Sequence, residues 1–126
     1  KTIHQRASRE AVILQSSSEI QEEYNNKLVV STGLDAMDNL LGGGWRSGDI
    51  AGITGPSASG KTQLSFWSMT QAVEHTERDA VYIETEKARY SPERVDSLAT
   101  DASTVDSIWR VKAYSVDQQR QAYDKL

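Results

Sequence analysis

The sequence contains no cysteine, so disulfide bonds and thiolate metal sites are excluded. It also lacks any run approaching the roughly 18 apolar residues that a membrane-spanning helix needs, and residues 1–10 show no signal-peptide pattern. Positive charge is not in excess either: the formal net charge is −4, so contact with a polyanion requires a local patch or a partner. We therefore expect a soluble intracellular protein, nuclear in a eukaryote and cytoplasmic otherwise.

The length and composition favour one folded domain preceded by a polar arm. The 126 residues are 37% hydrophobic and 25% charged, which suffices for a single core. Residues 1–26 hold few apolar side chains and form the predicted arm, in which Ser16 to Ser18 either cap a short helix or belong to a solvated linker. Residues 27–126 form the predicted domain. Because the sequence stops within a helical pattern, we expect it to be a fragment.

From residue 28 onward, short apolar runs alternate with stretches of helical periodicity. Three consecutive glycines at 42–44 predict a helix stop, and Pro92 behind Ser91 predicts a helix start. Alternation of strand and helix favours the α/β class, with a parallel sheet and right-handed crossovers. The predicted strands are 28–30, 50–54, 80–83 and 108–111, and the predicted helices are 34–41, 63–75 and two that begin after Ser91 and Ser115.

A glycine-rich motif lies between the second predicted strand and the helix that follows it. Residues 55–62 match the P-loop pattern G-x-x-x-x-G-K-[ST], in which backbone N–H groups and a helix N-terminus surround phosphate oxygens. Lys61 is predicted to reach the β and γ phosphates of a nucleoside triphosphate, and the Thr62 hydroxyl to ligate Mg²⁺. The alternative is a Gly/Ser-rich turn with an exposed lysine. The predicted phosphate-binding residues are Gly55, Pro56, Ser57, Ala58, Ser59, Gly60, Lys61 and Thr62.

Two carboxylates follow the next predicted strand. Hydrolysis of a triphosphate needs a group that orients or activates water, and Glu84 and Glu86 lie where open α/β sheets place their ligand crevice. Residues two apart on a strand share a face, but this inference fails if the strand ends at Ile83. The alternative is that they are surface carboxylates paired with Lys87 or Arg89.

These residues together resemble the RecA-type recombinase family, specifically the eukaryotic and archaeal strand-exchange recombinases and their paralogues. The resemblance covers residues 29–126 and is more specific than the P-loop alone. The segments that carry it are 31–35, 40–44, 60–64, 81–86 and 91–94.

The resemblance implies a P-loop NTPase of RecA type, with a parallel sheet flanked by helices and incomplete at the carboxyl end. It implies that ATP and Mg²⁺ are the cofactors and that Gln63 joins the nucleotide-binding residues. It further implies that Glu86 is the water-activating glutamate, that Lys61 shares the catalytic role, and that Arg94 lies against the adenine ring.

The sequence also departs from the family pattern. Glu84 and Lys87 stand where the pattern usually has Asp and Gly, and the arm shows no clear Phe-x-x-Ala polymerisation motif. After residues 118–126 the family continues with the Walker B strand and two DNA-binding loops, which the sequence does not contain. A recombinase paralogue tolerates such changes better than a complete recombinase.

Three functional hypotheses follow. The first is an ATP-binding recombinase paralogue that assists a recombinase filament in homologous recombination, with other paralogues as partners and single-stranded DNA reached through the complex. The second is a self-sufficient DNA-dependent ATPase that forms its own filament. The third is another RecA-fold ATPase, such as a clock-type ATPase/kinase or a replicative helicase motor.

Overall fold

The computed structural model describes residues 14–87 and 89–126. The first half of the predicted arm therefore lies outside the described residues. Within them, no helix is long and apolar enough to cross a membrane. The helices are α1 (Ser17–Asn25), α2 (Asp35–Leu41), α3 (Lys61–Thr76), α4 (Pro92–Leu98), a 3-10 helix (Ala102–Ser107) and α5 (Val116–Lys125), and the strands are β1 (Val29–Val30), β2 (Trp45–Arg46), β3 (Ala80–Glu84) and β4 (Ile108–Lys112).

The core lies between helices α3 and α4 and the parallel pair β3–β4. The two strands pair in register from Ala80 with Ile108 to Glu84 with Lys112. Phe66 of α3, Val95 of α4 and Ile108 are buried at its centre. Burial of such side chains contributes about 1.5–3 kcal/mol each. The helical periodicity that the sequence shows after the P-loop is therefore the face that builds this core.

The segment before the P-loop forms a separate antiparallel ribbon of β1 and β2. The indole N–H of Trp67 in α3 donates to the backbone carbonyl of Thr32, 2.5 Å away, and that of Trp45 donates to Ser68, 3.1 Å away. Thr32 is fully buried, and both its N–H and its hydroxyl donate to Asp38 at 2.7 Å. These polar contacts fix the ribbon on the flank of α3.

Most of the predicted elements are confirmed. The strands at 28–30, 80–83 and 108–111 and the four helices after residue 28 are present, with ends shifted by one or two residues. The hydroxyls of Ser16, Ser91 and Ser115 each accept a backbone N–H at the start of a helix, as N-caps do. Since Ser16 caps α1, the helical alternative for this part of the arm is the correct one.

The predicted strand at 50–54 is wrong. These residues form no strand in the structure, and all five of them are exposed, Ile50 completely. A strand needs a neighbour for its N–H and C=O groups, but among the described residues β3 and β4 pair with each other and β1 pairs with β2. The predicted single parallel sheet is therefore reduced to one parallel pair and one antiparallel ribbon.

Gly44 allows the close approach of the chain to β1. Its φ is +140°, and an added Cβ would lie 2.1 Å from the carbonyl oxygen of Val30. We expect Gly44→Ala to lower the free energy of unfolding by roughly 3 kcal/mol or more, because it adds a clash to a strained backbone. Denaturant titration measures this change.

Gly42 is the matched control. It also has a positive φ, +70°, but an added Cβ would meet no atom within 4 Å. Gly42→Ala should cost only about 1–2 kcal/mol from the left-handed backbone. Equal losses in the two variants would contradict the close approach at Gly44.

Candidate functional site

A cavity of about 840 Å³ opens beside the start of α3 and the carboxyl end of β3. Its volume falls in the range of roughly 300–1,000 Å³ that is typical of ligand pockets. The residues that line it come from the P-loop, from β3 and from the segments that follow β3. They are Ser57, Ala58, Ser59, Gly60, Lys61, Thr62, Gln63, Tyr82, Ile83, Thr85, Glu86, Arg89 and Arg94.

The P-loop wraps round the amino-terminal end of α3. Gly60 is its N-cap residue, with a φ of +95°, and the helix begins at Lys61 and runs for 16 residues. Such a terminus leaves N–H groups unpaired and carries the positive end of the helix dipole, so it favours an anion. Of the motif, residues 57–62 line the cavity, as does Gln63, which the resemblance had added.

The lysine of the motif holds the loop in shape. The Nζ of Lys61 donates to the carbonyl oxygens of Gly55 at 2.6 Å and Pro56 at 2.8 Å. Gly55 and Pro56 are not among the cavity-lining residues, so they contact the site through this side chain. The ammonium group therefore lies against the P-loop backbone. When a nucleotide binds, it can donate to a phosphate oxygen in place of one of these carbonyls.

The donor set near Thr62 fits Mg²⁺ held jointly by protein and ligand. Mg²⁺ takes six oxygen ligands, usually one or two from the protein and the others from water and phosphate. Within the described ranges, no group of three or more His, Asp or Glu side chains could hold a metal ion alone. A hydroxyl on the first turn of α3, beside a phosphate cradle, therefore suits the metal only when a phosphate is bound.

Glu86 and Arg89 form an exposed ion pair that lines the cavity. The carboxylate and the guanidinium Nε are 2.9 Å apart, and both side chains are about two thirds exposed. An exposed pair of this kind contributes little to stability and separates readily. The predicted ion pair with Arg89 is thus present. Because both side chains also line the cavity, this pairing does not exclude a role for Glu86 in the site.

Arg94 also reaches the cavity, from the first turn of α4. Its guanidinium lies 6.0 Å from the ring centroid of Phe66. Arg89, Tyr82 and Thr85 line the same cavity, and none was identified from the sequence. The sequence could have indicated Arg89, because a cation lies three residues after Glu86. That Tyr82 and Thr85 line the cavity became visible only in the structure.

Glu84 is not among the residues that line the cavity, so the prediction that it orients or activates water is wrong. It is the last residue of β3 and only 1% exposed. Its carboxylate accepts hydrogen bonds from the backbone N–H of Tyr90, 2.7 Å away, and from the Tyr114 hydroxyl. Because Glu86 lies beyond the end of the strand, the two carboxylates do not share a face.

Several carboxylates are held in their ionised form by hydrogen-bond donors. The Tyr114 hydroxyl, followed by the Tyr90 N–H, lowers the pKa of Glu84 below its usual range, and Ser31 and Thr32 lower the pKa of Asp38. A carboxylate whose pKa is lower in the folded than in the unfolded protein stabilises the fold above the unfolded pKa, near about 4. This contribution is lost as the pH falls further, through the folded pKa.

We therefore expect these carboxylates to contribute a constant stability from about pH 6 to 8 and a loss that begins below about pH 5. Urea unfolding at a series of pH values measures it. The loss should be smaller in a variant that removes one of the carboxylates, such as Asp38→Asn, which is already less stable at neutral pH. Stability that rises on acidification below pH 5 would contradict this assignment.

Comparison with known proteins extends beyond the motif. The Rad51 family model matches residues 23–126, a range that starts slightly before the predicted 29. The DNA repair and recombination protein RadA of Cenarchaeum symbiosum (strain A) is 32% identical over 114 residues, which cover 82% of this chain and 28% of the relative.

Two archaeal proteins with another name give similar matches. The DNA repair and recombination protein RadB of Thermococcus gammatolerans is 38% identical over 72 residues, covering 57% of this chain and 30% of the relative. RadB of Thermococcus kodakarensis is 38% identical over 71 residues. The chain spans less than a third of the length of these curated relatives. Since the family match runs from the end of α1 to Leu126 and is not confined to the P-loop, the chain belongs to the Rad51 family of RecA-type recombinases.

Proposed function

We propose that this protein binds ATP with Mg²⁺ in the cavity at the amino-terminal end of α3 and acts in homologous recombination and DNA repair. The observation that carries the proposal is the convergence of the P-loop, Glu86 and Arg94 on one cavity. The names of the RadA and RadB relatives, which are DNA repair and recombination proteins, support the process.

The proposal assigns a role to each cavity residue that was predicted from the sequence. The P-loop N–H groups and Lys61 would bind the phosphates, and the Thr62 hydroxyl would supply one oxygen ligand to Mg²⁺. Arg94 packs its guanidinium against the adenine ring, where a cation can contact the π face. Gln63 follows Thr62 on the first turn of α3 and lines the same cavity, so it can contribute to nucleotide binding.

ATP hydrolysis is the second part of the proposal. Glu86 lines the same cavity as the P-loop and can orient an attacking water, with Arg89 as its ion-pair partner in the absence of nucleotide. This placement favours turnover, and a slow rate is expected for an accessory protein.

The role that we favour is that of a recombinase paralogue that assists a recombinase filament. The net charge of −4 disfavours autonomous binding to DNA, so single-stranded DNA is reached through the complex. Lys87, where the family pattern usually has Gly, points to the same role. The expected partners are the recombinase and other paralogues.

Co-purification with a defined partner tests this role. The tagged full-length protein, incubated with ATP and the purified strand-exchange recombinase of the same organism, should retain that recombinase, and Lys61→Ala should retain less. A protein that retains no recombinase or paralogue, but shows steady ATP turnover stimulated by single-stranded DNA, would instead support a self-sufficient DNA-dependent ATPase.

A further inference from the structure

Glu84 joins three separate parts of the chain at the carboxyl end of β3. One carboxylate oxygen accepts the backbone N–H of Tyr90, between β3 and α4, and the other accepts the hydroxyl of Tyr114, between β4 and α5. The guanidinium of Arg110 on β4 lies 3.9 Å from the second oxygen. The carboxylate is therefore buried, each of its two oxygens accepts a hydrogen bond, and it does not line the cavity.

A buried carboxylate contributes little net stability to a fold. Removing its charge from water is costly, and well-packed apolar residues of similar volume often stabilise as well as a buried ion pair does. The carboxylate instead fixes the positions of its hydrogen-bond donors, which an apolar side chain would leave unpaired.

The main-chain bond to Tyr90 has a consequence for the cavity. Tyr90 follows Arg89 directly and precedes Ser91, the N-cap of α4, whose first turn carries Arg94. Its ring packs against Phe66 and Tyr82, with centroids 5.7 and 5.4 Å away, so the side chain is held from the other direction. Fixing this one amide therefore fixes the chain between the two cavity-lining arginines.

We infer that Glu84 is a positioning residue for the nucleotide reaction. By binding the Tyr90 amide, it positions the preceding residue, Arg89, which is the ion-pair partner of Glu86. It also fixes the start of α4, and with it the position of Arg94 in the cavity. Tyr114 holds the carboxylate in the orientation that this requires. The inference rests on the proposed function, since a positioning role has meaning only for a site that binds nucleotide.

The test compares two glutamates that both anchor loops. Glu84→Met keeps the volume but removes the acceptor for the Tyr90 amide. Glu74→Met is the matched control, because Glu74 accepts the N–H of Thr100 at 2.8 Å and the hydroxyl of Thr104 at 3.0 Å, away from the cavity. Tyr114→Phe is a milder variant in case Glu84→Met does not fold, and Glu84→Asp keeps the charge on a shorter side chain.

Three quantities are measured on the full-length protein: hydrogen exchange of the Tyr90 amide without nucleotide, and the kcat and the KM of ATP hydrolysis. Glu84→Met and Tyr114→Phe should both expose the Tyr90 amide to faster exchange. Misplaced reacting groups can cost up to roughly a hundredfold in rate, so we expect kcat to fall by at least about tenfold in Glu84→Met, with a smaller change in KM. Glu84→Asp should recover part of the loss, and Glu74→Met should leave kcat unchanged.

The outcomes separate the two claims. A wild-type protein that binds no ATP would overturn the proposed function and this inference with it. If the wild type turns over ATP, unchanged kcat and Tyr90 exchange in Tyr114→Phe and in folded Glu84→Met would overturn the inference alone. A kcat that falls equally in Glu74→Met and Glu84→Met would show a general loss of stability and would also overturn it.

Discussion

Replacing Glu86 by glutamine is expected to slow ATP hydrolysis by roughly 10²- to 10⁴-fold, the usual contribution of a general base. The amide keeps the size of the side chain but cannot take a proton from the attacking water. ATP affinity should stay within about threefold of the wild type, because the lost group contacts the water and not the P-loop, whose hydrogen bonds to phosphate account for most of the binding. Single-turnover hydrolysis and equilibrium titration with ATP measure the two quantities separately.

Glu93→Gln is the control for this substitution. Glu93 lies on the first turn of α4, is exposed and does not line the cavity. It should therefore change neither turnover nor affinity. Equal turnover in Glu86→Gln and the wild type would contradict the catalytic role, and loss of ATP affinity in place of turnover would reassign Glu86 to binding.

The second large effect concerns the cation of the P-loop. Lys61→Ala should weaken ATP binding by roughly ten- to a hundredfold, since hydrogen bonds to charged groups are worth about 1.5–3 kcal/mol. The variant also loses the two hydrogen bonds that Lys61 donates to the carbonyls of Gly55 and Pro56, so the loop is less well ordered before ATP arrives. Isothermal titration with ATP and Mg²⁺ gives the affinity.

Lys125→Ala controls for the general removal of a positive charge. Lys125 lies in the last turn of α5, is exposed and does not line the cavity. ATP affinity should be unchanged in this variant. Equal affinities of Lys61→Ala and the wild type would show that the lysine does not bind phosphate.

Local signals in the sequence located the P-loop part of the cavity. The P-loop pattern specifies its own neighbours in space, because one short segment supplies both the loop and the start of α3. Serine caps and apolar periodicity likewise act within a few residues, and so the helix starts after Ser91 and Ser115 were predictable. Position after a strand had suggested both Glu84 and Glu86; the resemblance selected Glu86 and added Arg94, and both of these line the cavity.

What could not be predicted depends on distant partners. The apolar run at 50–54 shows a tendency to be extended, but a sequence pattern does not say whether a neighbouring strand is present to accept its hydrogen bonds. Glu84 presents the same difficulty. Its carboxylate looks like that of Glu86 in the sequence, and only Tyr90 and Tyr114, 6 and 30 residues away, make it an internal anchor.

The most direct test of the central claim is an experimental structure of the protein with a non-hydrolysable ATP analogue and Mg²⁺. We predict that the phosphates contact residues 57–62, that the metal ion is bound by the Thr62 hydroxyl, and that the adenine ring lies beside Arg94. An analogue bound outside the cavity at the start of α3, or a protein that binds no analogue at saturating concentration, would contradict the account.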